Sequence, residues 1–315
     1  MAFRKAEKKK AKLRLALTGA SGSGKTYGAL LIAQGLGGKI AMIDTENGSG
    51  DLYADKFDYD ICTLKAPYKV EKYLQAIHEA EDAGYDIIII DSLSHAWAGE
   101  GGLLDLQEQV AESSKSGNSY TAWRKITPLH NKLIEAMLTS KCHIIATMRT
   151  KTEYVQSKND KGYTEIKKVG TAPIQREGMD YEFSLVFDLS PQHTATASKD
   201  RTKIFDGQVF KLSVDTGRTL RGWLESGITD LAQFKAEIWT KFMNFCNGDK
   251  EEAEKTLRIL VNNKPSVEWN EDDVKTINEF IKNEEELLRK REELKATEEN
   301  QDTNNSSETT EEDKQ

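Results

Sequence analysis

Cysteine is scarce. Cys62, Cys142 and Cys246 are the only three in 315 residues, and they stand far apart. They fit no metal-ligand spacing, and they read as buried thiols of a reducing compartment. Long apolar runs are missing as well. None approaches the ~20 residues that a bilayer-crossing helix needs, so no membrane partner is expected. The basic first ten residues lack an apolar signal core, which points to the cytoplasm, here of a bacterial host. An excess of positive charge is also absent, the net charge being −8. That deficit is not spread evenly. Residues 297–315 hold seven acids against Lys314, so this end alone carries −6. The remainder is close to neutral and can carry a local basic patch. No internal repeat is visible.

What is present is a phosphate-binding loop. Gly19-Ala20-Ser21-Gly22-Ser23-Gly24-Lys25-Thr26 fits G-x-x-x-x-G-K-[ST]. Glycines let backbone N–H groups turn inward around an anion. Lys25 is placed to reach the β- and γ-phosphates, and the Thr26 hydroxyl to ligate Mg²⁺. Residues 12–17 before the loop alternate like a strand, and the apolar stretch from Tyr27 to Gln34 reads as a helix. Strand, glycine-rich loop and helix together make an ATP site, with Tyr27 next to it in sequence. The helix start adds its partial positive charge.

Strands and helices alternate from residue 12 to about 150, which implies a parallel sheet with helices on both faces. Lys39–Asp44, Tyr85–Asp91 and Cys142–Thr147 read as buried strands, and 69–83 and 123–138 as helices. Beyond residue 180, Tyr181–Leu189, Thr194–Ser198 and Gln208–Leu212 read as an antiparallel extension. From Thr229 onward Leu231, Phe234, Ile238, Phe242 and Phe245, then Val274, Ile277, Ile281 and Leu288, recur at helical spacing. The expected organisation is a basic arm (1–11), an α/β P-loop core (12–228), a helical region (229–296) and a disordered acidic tail (297–315).

Asp91 closes the isoleucine run Ile87–Ile90 and is the expected second Mg²⁺-site residue. Glu46 follows the strand Ile40–Ile43. A carboxylate there can polarise an attacking water, or it can be a solvated loop residue beside a kinase-type site. Lys199-Asp200-Arg201 sets two cations on one side of an extended segment. They fit either a basic turn or a pair of charges that reaches a phosphate.

Taken in order, the P-loop, the Ile43-Asp44-Thr45-Glu46 segment and the strand ending in Asp91-Ser92 resemble the RecA-like recombinase core over roughly residues 12–215. The wording of Thr171 to Tyr181 is similar to phage-encoded RecA-like ATPases of the single-strand-annealing type. The resemblance implies Glu46 as catalytic base, Tyr53 packed on adenine, and Thr147 as the γ-phosphate sensor closing its strand. It also implies Lys199 and Arg201 as fingers reaching a neighbour's ATP site, hence a ring or filament of identical subunits.

Two long segments follow the site strands. The second, 148–178, is locally basic, with Arg149, Lys151, Lys167, Lys168 and Arg176 and with Tyr154 and Tyr163 interleaved. Cations track phosphates and rings stack on bases, so single-stranded DNA is the expected partner. The acidic tail can mimic a polyanion or dock a partner such as a single-strand-binding protein. The expected function is ATP-driven annealing or strand exchange in DNA recombination. A helicase or translocase motor, a P-loop kinase and a nucleotide-gated scaffold stand as rivals.

Overall fold

In the computed structural model, which describes residues 5–113, 119–158, 164–228, 231–246, 248–270 and 272–284, the apolar runs become the middle of a nine-stranded sheet. The chain forms β1 (Arg14–Gly19), α1 (Lys25–Leu36), β2 (Ile40–Asp44), β3 (Asp60–Thr63), α2 (Val70–Asp82) and β4 (Ile87–Asp91). Next come α3 (Ser94–Ala98), α4 (Leu103–Glu112), α5 (Ser119–Thr139), β5 (His143–Lys158) and β6 (Thr164–Pro173). β7 (Leu185–Leu189), β8 (Ala195–Asp200), β9 (Val209–Phe210) and α6 (Val214–Glu225) complete this part. The strand order is β3-β2-β4-β5-β1-β7-β8-β9. The first six strands in that order are parallel, whereas β8 and β9 are antiparallel additions at one edge. This is a mostly parallel α/β fold of the P-loop NTPase type.

Alternation along the strands explains the layers. All four isoleucines of β4 are fully buried. Ile87 and Ile89 pack into the cluster that holds α1 and Leu220 and Leu224 of α6, and Ile88 and Ile90 into the one that holds α2 and α5. Each burial contributes roughly 1.5–3 kcal/mol. α6 did not stand out in the sequence. Its N-cap is Ser213 with Thr216 at the third position instead of Glu or Gln, although both hydroxyls do form a capping box. β3 was equally silent, because Asp60-Ile61-Cys62-Thr63 is a short, largely exposed edge.

Several expected boundaries shift. The long segment after Asp91, residues 92–120, carries α3 and α4 and the start of α5. β5 does not stop at Thr147; it runs on to Lys158 and turns back as β6, paired antiparallel from Thr150↔Pro173 to Lys158↔Thr164. The strand expected from Tyr181 starts instead at Leu185, since Met179–Tyr181 is a 3₁₀ turn.

Chain contacts separate residues 11–226 from a second unit made of 1–10 and 227–315. In that unit α7 (Leu231–Phe245), α8 (Lys250–Leu260) and helical residues 272–284 bury Phe234, Ile238, Phe242, Leu257, Trp269 and Ile277 together. Asp249 caps α8 by accepting from the Glu251 and Glu252 N–H groups. The basic arm is tied here too, with Lys10 N–H donating to the Ile228 carbonyl at 2.9 Å. Leu288 and the acidic tail lie outside the described residues.

A histidine at the base of the sheet makes stability pH-dependent. The Leu13 N–H donates to His143 Nδ1 at 2.9 Å, so the imidazole must be neutral there. Burial, reinforced by Lys12, Arg14 and Arg221, pushes its pKa down to about 3. The unfolded chain takes up that proton near the ordinary value of 6.5. Stability from this site is therefore complete above about pH 6.5 and is lost as pH falls toward 3. Between pH 6.5 and 5 the loss should reach up to about 2 kcal/mol. Thermal unfolding checks this: His143→Gln, which keeps an acceptor for Leu13, should flatten that slope. An unchanged slope would place the proton uptake elsewhere.

Candidate nucleotide site

The carboxyl ends of β1, β2, β4, β5 and β7 gather at one edge of the sheet, where open α/β sheets bind ligands. β5 lies between the P-loop strand and the Asp91 strand. With Leu17 opposite Thr147 and Ile90 opposite Ala146, that register sets Thr147 beside Asp91. Gly24 has φ of 85°, a left-handed conformation that lets the loop turn into α1 at Lys25. A Cβ at Gly24 would meet His193 Nδ1 at 3.1 Å.

Lys25 Nζ donates to the Gly19 and Ala20 carbonyls, at 3.0 and 2.8 Å, so its charge rests on the loop it follows. Burial lowers its pKa, against the pull of Asp91 and Glu46. Thr26 Oγ1 donates to Asp91 Oδ2 at 2.5 Å, and Thr147 Oγ1 donates to Asp91 Oδ1. Asp91 is buried, and burial raises its pKa while the two hydroxyls oppose that rise. The Ser23 hydroxyl of the loop is buried with no partner among the described residues. It packs against Gly19, where an added Cβ would collide with it.

Glu46 is held by the turn beneath it. Asp44 is fully buried, and its two carboxylate oxygens accept from the N–H groups of Glu46 and Gly48, each at 2.7 Å. Thr45 Oγ1 accepts from the Ser92 N–H and meets His95 Nδ1 at 2.7 Å, and His95 stacks on Tyr68. His95 therefore serves as a loop contact. The Glu46 carboxylate accepts two hydrogen bonds from Arg149, one from Nε at 2.8 Å and one from Nη2. Burial alone would raise the Glu46 pKa, yet Arg149 holds it below the ordinary carboxylate value.

Lys25, Thr26, Glu46, Asp91 and Arg149 line one cavity of about 830 Å³, together with Ser21, Gly22 and Tyr53. The Tyr27 and Tyr53 rings sit 5.5 Å apart in its wall and offer an aromatic surface for a base. A family model described as an AAA domain matches residues 11–218. The chain belongs to the AAA domain family. No curated protein matches it.

An AAA-type ATPase domain binds and hydrolyses nucleotide, typically with Mg²⁺, and the donors here fit that pair. No cluster of three or more His, Cys, Asp or Glu residues could hold a metal among the described residues. Mg²⁺ does not need such a cage, since it keeps waters and shares phosphate oxygens with one or two protein ligands. Thr26 and Asp91 would supply those. No helix among the described residues is long and apolar enough to cross a membrane.

Arg149, expected from sequence as a DNA contact, has its guanidinium in the nucleotide cleft of this AAA-type domain. The reason is strand geometry: residues two apart share a face, so Arg149 follows Thr147 into the site. The Arg149 N–H is fixed by Ser94 Oγ at 2.9 Å. Lys151 is exposed on β5, opposite Ala172. Lys167 and Lys168 lie on β6 opposite Val155 and Tyr154, and the side chains of residues 152–170, Tyr163 included, fall outside the described part. Arg176 is off the hairpin, its guanidinium 5.9 Å above the Trp123 ring.

Lys199 and Arg201 do not approach the P-loop of their own chain. Lys199 pairs with Val186 and Asp200 with Leu185, at the start of β7, whereas Gly19 pairs with Leu189 at its end. That is roughly 10 Å or more of extended strand away. Lys199 Nζ donates to the carbonyls of Asp180 and Tyr181, at 2.9 and 2.6 Å. Sequence reading missed His193, Lys211, Thr150 and Ile174, all of which line the cavity. No local pattern marks them, because long-range pairing places them: β5 with β6 sets Thr150 beside Ile174, β7 with β1 carries the β7–β8 turn and His193 to the P-loop, and Lys211 follows β9 on β8.

Proposed function

We propose that this AAA-type ATPase is a DNA recombination protein of the phage-encoded, RecA-like kind, which binds single-stranded DNA and couples annealing or strand exchange to ATP hydrolysis. One observation carries the reading. β5 is a single strand that holds Thr147 and Arg149 at the nucleotide cleft and continues into the basic β5–β6 hairpin. A polyanion pulling on that hairpin acts on the same strand as the γ-phosphate side of the cleft.

In this reading Lys25 and the P-loop amides bind the phosphates, and Asp91 orients Thr26. Mg²⁺, when bound, supplies charge neutralisation at the phosphate oxygens. Glu46 accepts the proton of the attacking water. Thr147 ties the Asp91 carboxylate to β5, so movement of that strand reaches the phosphate pocket. Lys199 and Arg201 lie too far from their own cleft to act there. A role for them at the phosphates requires a second copy of the chain, in a ring or filament with shared sites. Lys151, Lys167 and Lys168 track the DNA backbone. The acidic tail competes with DNA or docks a single-strand-binding protein.

The test is ATPase turnover with and without single-stranded DNA at low salt. Stimulation of tenfold or more is expected, declining steeply as salt rises. Lys25→Ala should abolish both basal and stimulated turnover. Turnover indifferent to DNA at low salt would sink the recombination reading.

A further inference from the structure

The Glu46–Arg149 pair joins the turn after β2 to strand β5, and the two side chains are 20% and 44% exposed, so as an ion pair it adds little to the stability of the fold. Both lie in the cavity that holds Lys25 and Thr26. With two hydrogen bonds from one guanidinium, a carboxylate is a weaker base and is tied to a fixed direction. A base that must take a proton from water is poorly served by that arrangement. A guanidinium, however, pairs bidentately with phosphate as well as with carboxylate, and a terminal phosphate brings more charge and three acceptor oxygens. Glu46 and an incoming triphosphate therefore compete for the same donor.

We propose that Arg149 tells a triphosphate from a diphosphate: it clamps Glu46 until a terminal phosphate takes over its guanidinium, and that exchange releases the carboxylate. The proposal deepens the hydrolytic reading of the cleft and rests on it. The position of Arg149 suits the role. Its backbone is anchored to Ser94, so the exchange is made by the side chain. It shares a strand face with Thr147, which already contacts Asp91. Lys25, its cationic neighbour in the cleft, is engaged by loop carbonyls, which leaves the carboxylate side of the pocket to Arg149. A diphosphate held by the P-loop has no terminal group to offer, so the clamp stays closed after turnover.

Binding without turnover tests this. Titration of the full chain with Mg²⁺ and either ADP or a non-hydrolysable imido analogue of ATP reads the two affinities separately. Arg149→Ala should weaken the analogue by about 10- to 100-fold, the loss of a charged bidentate contact, and leave ADP within about twofold. Retained ADP binding shows that the variant is folded. Glu46→Gln should tighten the analogue several-fold, because the competitor for Arg149 is gone, and that gain should vanish in the Arg149→Ala background. Arg149→Lys, which keeps the charge without the fork, should restore part of the analogue affinity. Equal losses for both nucleotides, no loss for either, or a Glu46→Gln gain that persists without Arg149 would each overturn the proposal. Should these couplings fail while Glu46→Gln still abolishes turnover, the hydrolytic reading stands without the clamp. Should they hold while Glu46→Gln turns over normally, the clamp stands and the proton acceptor is another group.

Discussion

Glu46→Gln is expected to lower kcat for ATP by about 10²- to 10⁴-fold, the range for loss of a positioned general base. Phosphate release under saturating nucleotide measures it. The substitution keeps the side-chain length and an acceptor oxygen, so the turn built on Asp44 should survive: its two 2.7 Å contacts go to backbone N–H groups. A loss in kcat with nucleotide binding intact separates Glu46 from Lys25, whose removal should cost binding and turnover together. The proposed role follows from placement. Glu46 stands across the cleft from the P-loop, lies outside the Thr26–Asp91–Thr147 cluster, and is the carboxylate that Arg149 holds ionised. Unchanged turnover would remove water activation from the cleft and leave it to phosphate transfer or nucleotide-gated binding.

Gly35→Ala is expected to destabilise the core by about 3 kcal/mol or more, at the upper end of overpacking costs. In a unit of this size that lowers the melting temperature by roughly 10 °C. A Cβ at Gly35 would lie 2.0 Å from the Val214 carbonyl oxygen and 2.7 Å from Gly217 Cα. Both obstacles are backbone, so neither can rotate away, and α1 and α6 must part. Parting them opens the cluster in which Leu36 and Leu220 are buried beside Ile87 and Ile89 of β4. Gly222→Ala on the same α6 is the control. Nothing lies within 4 Å of the added methyl, and alanine's better helix propensity should raise stability by about 0.8–1 kcal/mol. Scanning calorimetry of the two variants reads opposite signs. A Gly35→Ala protein as stable as the parent would mean that α1 and α6 are not in close contact.

The alternation of elements was legible because each central strand is a local event. Four consecutive isoleucines before Asp91 can be accommodated where both faces are covered, and they are all fully buried. The helical spacing of Phe234, Ile238 and Phe242 was readable for the same reason, and these residues form the core of the second unit. Elements that draw their stability from elsewhere were silent. α6 depends on a glycine-to-glycine crossing with α1, and β3 on the edge of β2. A hairpin was one reading of residues 148–178, but its extent was not legible, because β5 leaves the core and continues as the same strand.

The same division runs through the site. Gly19 to Thr26 is a contiguous pattern with chemistry behind its glycines, Lys25 and Thr26, so the sequence alone pointed to a nucleotide ligand, which the AAA domain match supports. Asp91 and Glu46 stood out because each ends or follows a strong strand, and both line the cavity. Which group holds which was decided by tertiary structure. Arg149 was read with DNA in a run of cations; it shares a strand face with Thr147 by spacing alone, but only the register of β5 between β1 and β4 brings that face to the nucleotide cleft. His193 entered the cavity wall through the pairing of β7 with β1, and Lys211 through the pairing of β9 with β8. A motif is read along the chain, where spacing is set by covalent geometry. The partners of Glu46 and Asp91 come from 103 and 56 residues away, where only the sheet sets the spacing.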